Sequence, residues 1–147
     1  MEKNVSARTA QKPKEKRIMQ GVLGLVGFLA LYTAYLGFRY GAVNWYYGFP
    51  DGQGYSKGLL MLDSNLRFYS GLWLGVGGIL LWMIPRIERE QNTLRVLAVC
   101  FFFGGIGRLT SILVCGLPSA MYGFFVVLEF SFSLLVLWHK HIFGNNQ

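Results

Sequence analysis

Charge is scarce in this sequence, and negative charge scarcest. Asp, Glu, Lys and Arg make up 14% of 147 residues, and only seven of these are acidic. Soluble domains usually carry about a quarter charged residues, so the composition is far from that of a soluble globular chain. Cysteine occurs twice, at Cys100 and Cys115. On one helix these two stand roughly 20 Å or more apart by rise alone, which excludes an intrachain disulfide. The two histidines, His139 and His141, lie close together near the C terminus with no companion ligands, so no metal centre is expected. A Ser–His–acid set, a phosphate loop and a dinucleotide fingerprint are all lacking. Gly75-x-Gly77-Gly78 lies inside an apolar run and reads as packing. No catalytic residue and no cofactor are therefore assigned, and a non-enzymatic role is expected.

Long apolar runs take the place of these absent features. Hydrophobic residues make up 53% of the chain and aromatics 16%. Four runs, Ile18–Phe38, Leu66–Ile84, Leu94–Cys115 and Pro118–Trp138, are each long enough to cross a hydrocarbon core of about 30 Å. The first follows a basic stretch as a secretory signal would. Its apolar length exceeds the roughly 7–15 residues of a signal core, and no small-residue cleavage site precedes Arg39. It reads as an uncleaved span. The expected fold is all-α, an integral membrane four-helix bundle in a single domain, 18–138. Residues 1–17 form a basic cytoplasmic tail, expected to be disordered, and 139–147 form a second tail.

The basic residues orient the spans. Lys3, Arg8, Lys12, Lys14, Lys16 and Arg17 precede span one, Arg86, Arg89 and Arg95 flank the 2–3 connection, and Lys140 follows span four. Arg39, Lys57 and Arg67 fall on the opposite side. The positive-inside rule then places both termini in the cytoplasm. The net charge of +7 is topogenic, suits contact with anionic lipid, and implies no nucleic-acid partner. Pro85 ends span two and Thr93 is a candidate cap for span three. The long connection Arg39–Asn65 lies outside, and holds Tyr40, Trp45, Tyr46, Tyr47, Phe49 and Tyr55 among several glycines. Such a loop suits an interfacial anchor or a lid over the bundle mouth.

Two ionised side chains interrupt the apolar runs, Arg108 in span three and Glu129 in span four. A charge at the middle of a spanning helix costs roughly 2.5–3.5 kcal/mol on insertion scales. Helical spacing aligns Gly104, Arg108, Ser111 and Cys115 on one stripe, and Tyr122, Glu129 and Ser133 on another. Arg67, Gly71, Gly75 and Gly78 align in span two, preceded by Asp63 one turn earlier, and Tyr32, Tyr35 and Arg39 share a face of span one. Counted from the outer ends, Arg108 lies roughly 10 Å deep and Glu129 roughly 15 Å, within reach of one another. The polar groups gather in the outer halves while the cytoplasmic halves are apolar, which implies an outward-facing polar cavity above a dry plug.

Each charge has a structural and a functional reading. Arg108–Glu129 is either a buried packing pair or a site in which Arg108 holds a polar headgroup through its planar fork of donors. Glu129 is also a candidate for proton exchange. Arg67 either snorkels or binds; Asp63 and Asn65 either cap span two or join the site. Gly71-x-x-x-Gly75 is expected to permit close helix packing. The candidate ligand-binding set is Arg108, Glu129, Arg67, Asp63, Asn65, Tyr32, Tyr35 and Ser111.

Asp63-Ser-Asn-Leu-Arg-Phe-Tyr-Ser-Gly-Leu-Trp73, Ile87-Glu-Arg89, Gly104-Gly-Ile-Gly-Arg-Leu-Thr-Ser111, Gly116-Leu-Pro118 and Glu129 together resemble a family of small four-helix bacterial inner-membrane proteins catalogued as a domain of unknown function. That family is distantly similar in shape to DoxX-like proteins. The resemblance covers roughly Ile18 to Trp138. It implies a multi-pass bacterial inner-membrane location and a polar set at Asp63, Asn65, Arg67, Arg108 and Glu129, and it supplies no activity.

The reading that follows is a non-enzymatic membrane protein whose periplasm-facing cavity binds a lipid or amphiphilic small molecule, as a homo-oligomer, in envelope integrity or tolerance of toxic compounds. The alternatives are a small oligomeric transporter or pore, and an accessory subunit of a membrane redox or transport complex. The apolar cytoplasmic halves count against the pore, and the lack of histidine within the spans counts against autonomous redox chemistry.

Overall fold

In the computed structural model the described residues are 2–42, 57–117 and 119–143, with side chains from residue 13 onward. Among them are four α-helices: α1 (Glu2–Tyr40), α2 (Lys57–Met83), α3 (Gln91–Cys115) and α4 (Ala120–Phe143). A short 3-10 turn, Ile84–Arg86, follows α2. Each helix contains a segment long and apolar enough to cross a membrane, so the chain is an all-α, multi-pass membrane protein. The exposed side chains agree with lipid as solvent. Leu113 and Val114 are 77% and 78% exposed, and the backbone polar groups of such segments are satisfied within their own helices.

The chain divides into two units, Arg17–Pro85 and Met1–Lys16 with Arg86–Gln147. In the first, α1 and α2 form an antiparallel hairpin with very close backbone approach. A Cβ on Gly77 would lie 3.0 Å from the Gly27 carbonyl oxygen and 2.7 Å from Leu31 Cδ2, and one on Gly37 would collide with Ser70 Oγ. Small residues at a helix crossing gain dispersion contact that lipid does not supply. The close approach therefore runs through Gly27, Gly37 and Gly77. At Gly75 a Cβ would meet nothing within 4 Å, and at Gly71 only the rim of Phe38, so the expected Gly71/Gly75 packing pair is not the contact within this hairpin. Gln20 Nε2 donates to Ile84 O at 2.8 Å and ties one end of the hairpin.

In the second unit, α3 and α4 form another antiparallel hairpin. Leu94, Ala98 and Gly105 are buried on α3, and Glu129, Phe132, His139 and Ile142 on α4. These positions recur every three or four residues, the period of a helix seam. Phe101 stacks on Phe132 with centroids 4.2 Å apart. Gly105 is the point of closest approach, because a Cβ there would lie 3.2 Å from the Phe130 ring and 3.4 Å from Glu129 Cβ. Lys16 Nζ pairs with Glu88 at 2.6 Å in the same unit.

Several boundaries differ from the sequence expectation. The basic tail is not disordered in its backbone, since α1 begins at Glu2. Once a helix is nucleated, extension through Ala, Gln, Glu and Lys adds a hydrogen bond per residue at little further cost; Pro13 lies inside it and contributes no N–H. The connection between α1 and α2 is shorter than Arg39–Asn65, because α2 begins at Lys57. Leu59–Leu62 are good helix formers, and Asp63 and Arg67 pair at i,i+4. The expected lid or anchor with Trp45, Tyr46, Tyr47, Phe49 and Tyr55 lies outside the described residues. Thr93 does not cap α3. It sits inside the first turn, where its hydroxyl donates to the Glu90 carboxylate at 2.7 Å. α4 continues to Phe143, so His139 and His141 are helical.

Candidate functional site

Asp63 and Arg67 meet, but what they bind is the end of α1. Asp63 Oδ1 accepts from the Ala42 N–H at 2.8 Å, and Asp63 Oδ2 accepts from Arg67 Nε at 2.7 Å. Arg67 Nη1 donates to the Phe38 carbonyl, one of the last carbonyls of α1 left without an intrahelical partner. Gly41 makes this possible. Its φ of +57° turns the chain out of the helix, and a Cβ there would run into the Asp63 carboxylate. Asp63 is therefore not an N-cap of its own helix, since it stands well inside α2; it holds the C-terminal cap of the neighbouring helix in place. Asn65 is also well inside α2 and exposed, which removes its capping role too.

Arg108 and Glu129 come together as expected, in the α3–α4 hairpin. Arg108 Nε donates to Glu129 Oε1 at 2.7 Å. The Glu129 side chain is 7% exposed and that of Arg108 32%. Both fall on the packing seams already described, Arg108 three residues beyond Gly105 and Glu129 three before Phe132, which is why they face one another. The Arg108 guanidinium also lies over two rings of α4, 5.9 Å from the Tyr122 centroid and 5.5 Å from that of Phe125. Cation–π contacts of this kind strengthen where water is excluded.

The pair is joined at a single point. An arginine fork can engage both oxygens of a carboxylate, yet here only Nε and Oε1 meet. Glu129 Oε2 is buried without a hydrogen-bond partner among the described residues. On the other side, Nη1 and Nη2 of Arg108 make no hydrogen bond among the described residues. One acceptor and two donor atoms thus remain open around a single ion pair. A buried acceptor left without a donor costs about 1–3 kcal/mol, and of the open atoms Glu129 Oε2 is the buried one, the Arg108 side chain being 32% exposed.

Each remaining expected site residue is described within its own unit. Tyr32 and Tyr35 are each 59% exposed on α1, Arg39 lies over the Tyr40 ring, and Ser111 is exposed on α3. Three residues matter that the polar pattern does not single out. Phe125 completes the aromatic bed under Arg108, and its place three residues after Tyr122 and four before Glu129 was the available signal. Gly105 lets α4 approach at Glu129. His139 is buried and its Nε2 lies 2.6 Å from Ile87 O, which ties the far end of α4 to the connection before α3. Ser133 donates to Ala98 O at 3.3 Å between these two ties.

Comparison with known sequences gives one family. Residues 18–139 match a family described as a domain of unknown function, DUF4345. No curated protein and no solved structure matches the chain.

Proposed function

The chain belongs to the DUF4345 family, to which no function is assigned, and from that premise we propose that it is a non-enzymatic membrane protein binding a lipid or amphiphilic small molecule at Arg108 and Glu129. The observation that carries this reading is the half-used ion pair: among the described residues, Glu129 Oε2 is buried and unpartnered and neither Nη atom of Arg108 makes a hydrogen bond. Tyr122 and Phe125 supply an apolar wall beside these polar atoms. Polar atoms at one end of an apolar surface suit a molecule with a polar head and a hydrocarbon body.

The distribution of Lys and Arg supports an orientation with both termini in the cytoplasm. With that orientation the pair lies in the half of the bilayer that faces away from the cytoplasm, the periplasmic half of a bacterial inner membrane. A role in envelope integrity or in tolerance of toxic amphiphiles is part of this proposal, and a homo-oligomer is the proposed working form, through the open Gly75 and Gly78 of α2 with Gly71 beside them.

A second reading has its own support. Arg108–Glu129 is one of three polar ties along the α3–α4 hairpin, with Ser133–Ala98 and His139–Ile87, as a pure packing role requires. Native mass spectrometry of the gently extracted protein separates the two, comparing the wild type with Arg108→Leu/Glu129→Met. Loss of a bound molecule from the folded double variant supports the binding reading. A wild type carrying no bound molecule, or an unchanged complement in the variant, sinks it in favour of packing.

A further inference from the structure

The open atoms of the Arg108–Glu129 pair specify more than an amphiphile. Around one ion pair there is a buried carboxylate oxygen that needs a donor, and two guanidinium nitrogens that need acceptors. The ionised pair sums to zero charge. An anionic head would place an uncompensated negative charge beside Glu129 in a medium of low dielectric constant, and a cationic head would do the same beside Arg108. A zwitterion keeps the sum at zero and sets each of its charges against the opposite one.

We infer that the head group suited to Arg108 and Glu129 is a zwitterion with N–H donors, a phosphoethanolamine, its phosphate on Arg108 Nη1 and Nη2 and its ammonium on Glu129 Oε2. This rests on the binding reading above. Guanidinium and phosphate match in a planar, two-point geometry, and a primary ammonium carries three donors for a bare carboxylate oxygen. Choline has the same charges but no N–H, so it leaves Oε2 bare. Glycerol supplies hydroxyl donors, but a phosphoglycerol head is anionic overall. Access to Oε2 requires rotation of the Glu129 side chain or a shift of the Arg108 side chain, which is 32% exposed and held by one hydrogen bond to Oε1 and by ring contacts with Tyr122 and Phe125.

The test is a lipid titration of the full chain in detergent, read by native mass spectrometry. Phosphatidylethanolamine, its N-methyl and N,N-dimethyl forms, phosphatidylcholine and phosphatidylglycerol are compared with identical acyl chains. Affinity is expected to hold through the methylated forms that retain an N–H and to fall about tenfold or more at phosphatidylcholine, the loss of one charge-assisted hydrogen bond. Phosphatidylglycerol should also bind more weakly. Equal binding of phosphatidylethanolamine and phosphatidylcholine, a decline that simply tracks methyl count, or tightest binding of phosphatidylglycerol would each overturn the inference. If the preferred lipid is then still lost in Arg108→Leu/Glu129→Met, the binding site stands and only the head-group assignment fails. If no lipid responds to that double change, both fail. Competition by glycerophosphoethanolamine tells the source: displacement at similar concentrations assigns the head alone, and no displacement assigns the intact lipid.

Discussion

The guanidinium of Arg108 grips one oxygen of Glu129 at 2.7 Å, and the other is buried without a hydrogen-bond partner among the described residues. A pair serving only to neutralise two charges would gain from a two-point contact. The guanidinium lies over the rings of Tyr122 and Phe125 beside the carboxylate, and its Nη1 and Nη2 make no hydrogen bond among the described residues.

Breaking the pair from one side should be costly. Arg108→Leu leaves Glu129 buried without its cation, and the expected loss is about 3–5 kcal/mol. Arg108→Leu/Glu129→Met should recover most of this, because two apolar residues replace two charges in an apolar seam. Chemical unfolding in detergent of the two single variants and the double variant measures it; additive losses would contradict the coupling.

The clamp on α1 should act on stability and not on ligand. Arg67→Ala removes the donor to Phe38 O and the cation paired with Asp63, leaving only the Ala42 N–H on that carboxylate, for an expected loss of about 1–3 kcal/mol. Hydrogen exchange should rise at residues 38–42, the end of α1, while bound lipid in native mass spectra stays unchanged. Lipid loss on this change would return Arg67 to the ligand site.

How much of this was legible in the sequence differs from feature to feature. The four helices were legible because about twenty apolar residues in a row have few other solutions. Arg108 and Glu129 were legible because ionised groups inside such runs demand partners. The role of Asp63 and Arg67 was not, because their partners are the Phe38 carbonyl and the Ala42 N–H, backbone atoms that leave no mark in a side-chain pattern. Nor was the choice of packing glycines: Gly71 and Gly75 have motif spacing, yet the helix faces that meet carry Gly27, Gly37 and Gly77. The start of α2 at Lys57 is not legible because Lys57–Asn65 mixes polar and apolar residues, so hydropathy fades before the helix does.

The glycines give a contrast free of charge effects. Gly105→Leu should destabilise the α3–α4 hairpin, because even a Cβ there presses on Phe130 and Glu129, and overpacking costs about 1–3 kcal/mol. Gly75→Ala meets nothing within 4 Å in the single chain and should leave monomer stability unchanged or slightly raised. Thermal unfolding in detergent reads both.

His139 should behave as a structural tie. His139→Ala removes the hydrogen bond to Ile87 O and a buried ring, for an expected loss of about 2–4 kcal/mol. Limited proteolysis should then cut the connection around Ile87 faster than in the wild type; equal rates would deny the tie.

Orientation is checked by labelling. After replacement of the exposed Cys100 and Cys115 by serine, an impermeant thiol reagent added to intact cells should reach Tyr55→Cys and not Asn92→Cys. The reverse pattern would invert the topology.

The most direct measurement of the central claim locates the bound molecule. A phosphatidylethanolamine with a diazirine close to its head is photolysed in membranes containing the protein, and labelled peptides are sequenced. The account predicts label on the segment holding Tyr122, Phe125 and Glu129, and its loss in the folded Arg108→Leu/Glu129→Met variant. Label confined to other helices, or the same label in that variant, would contradict it.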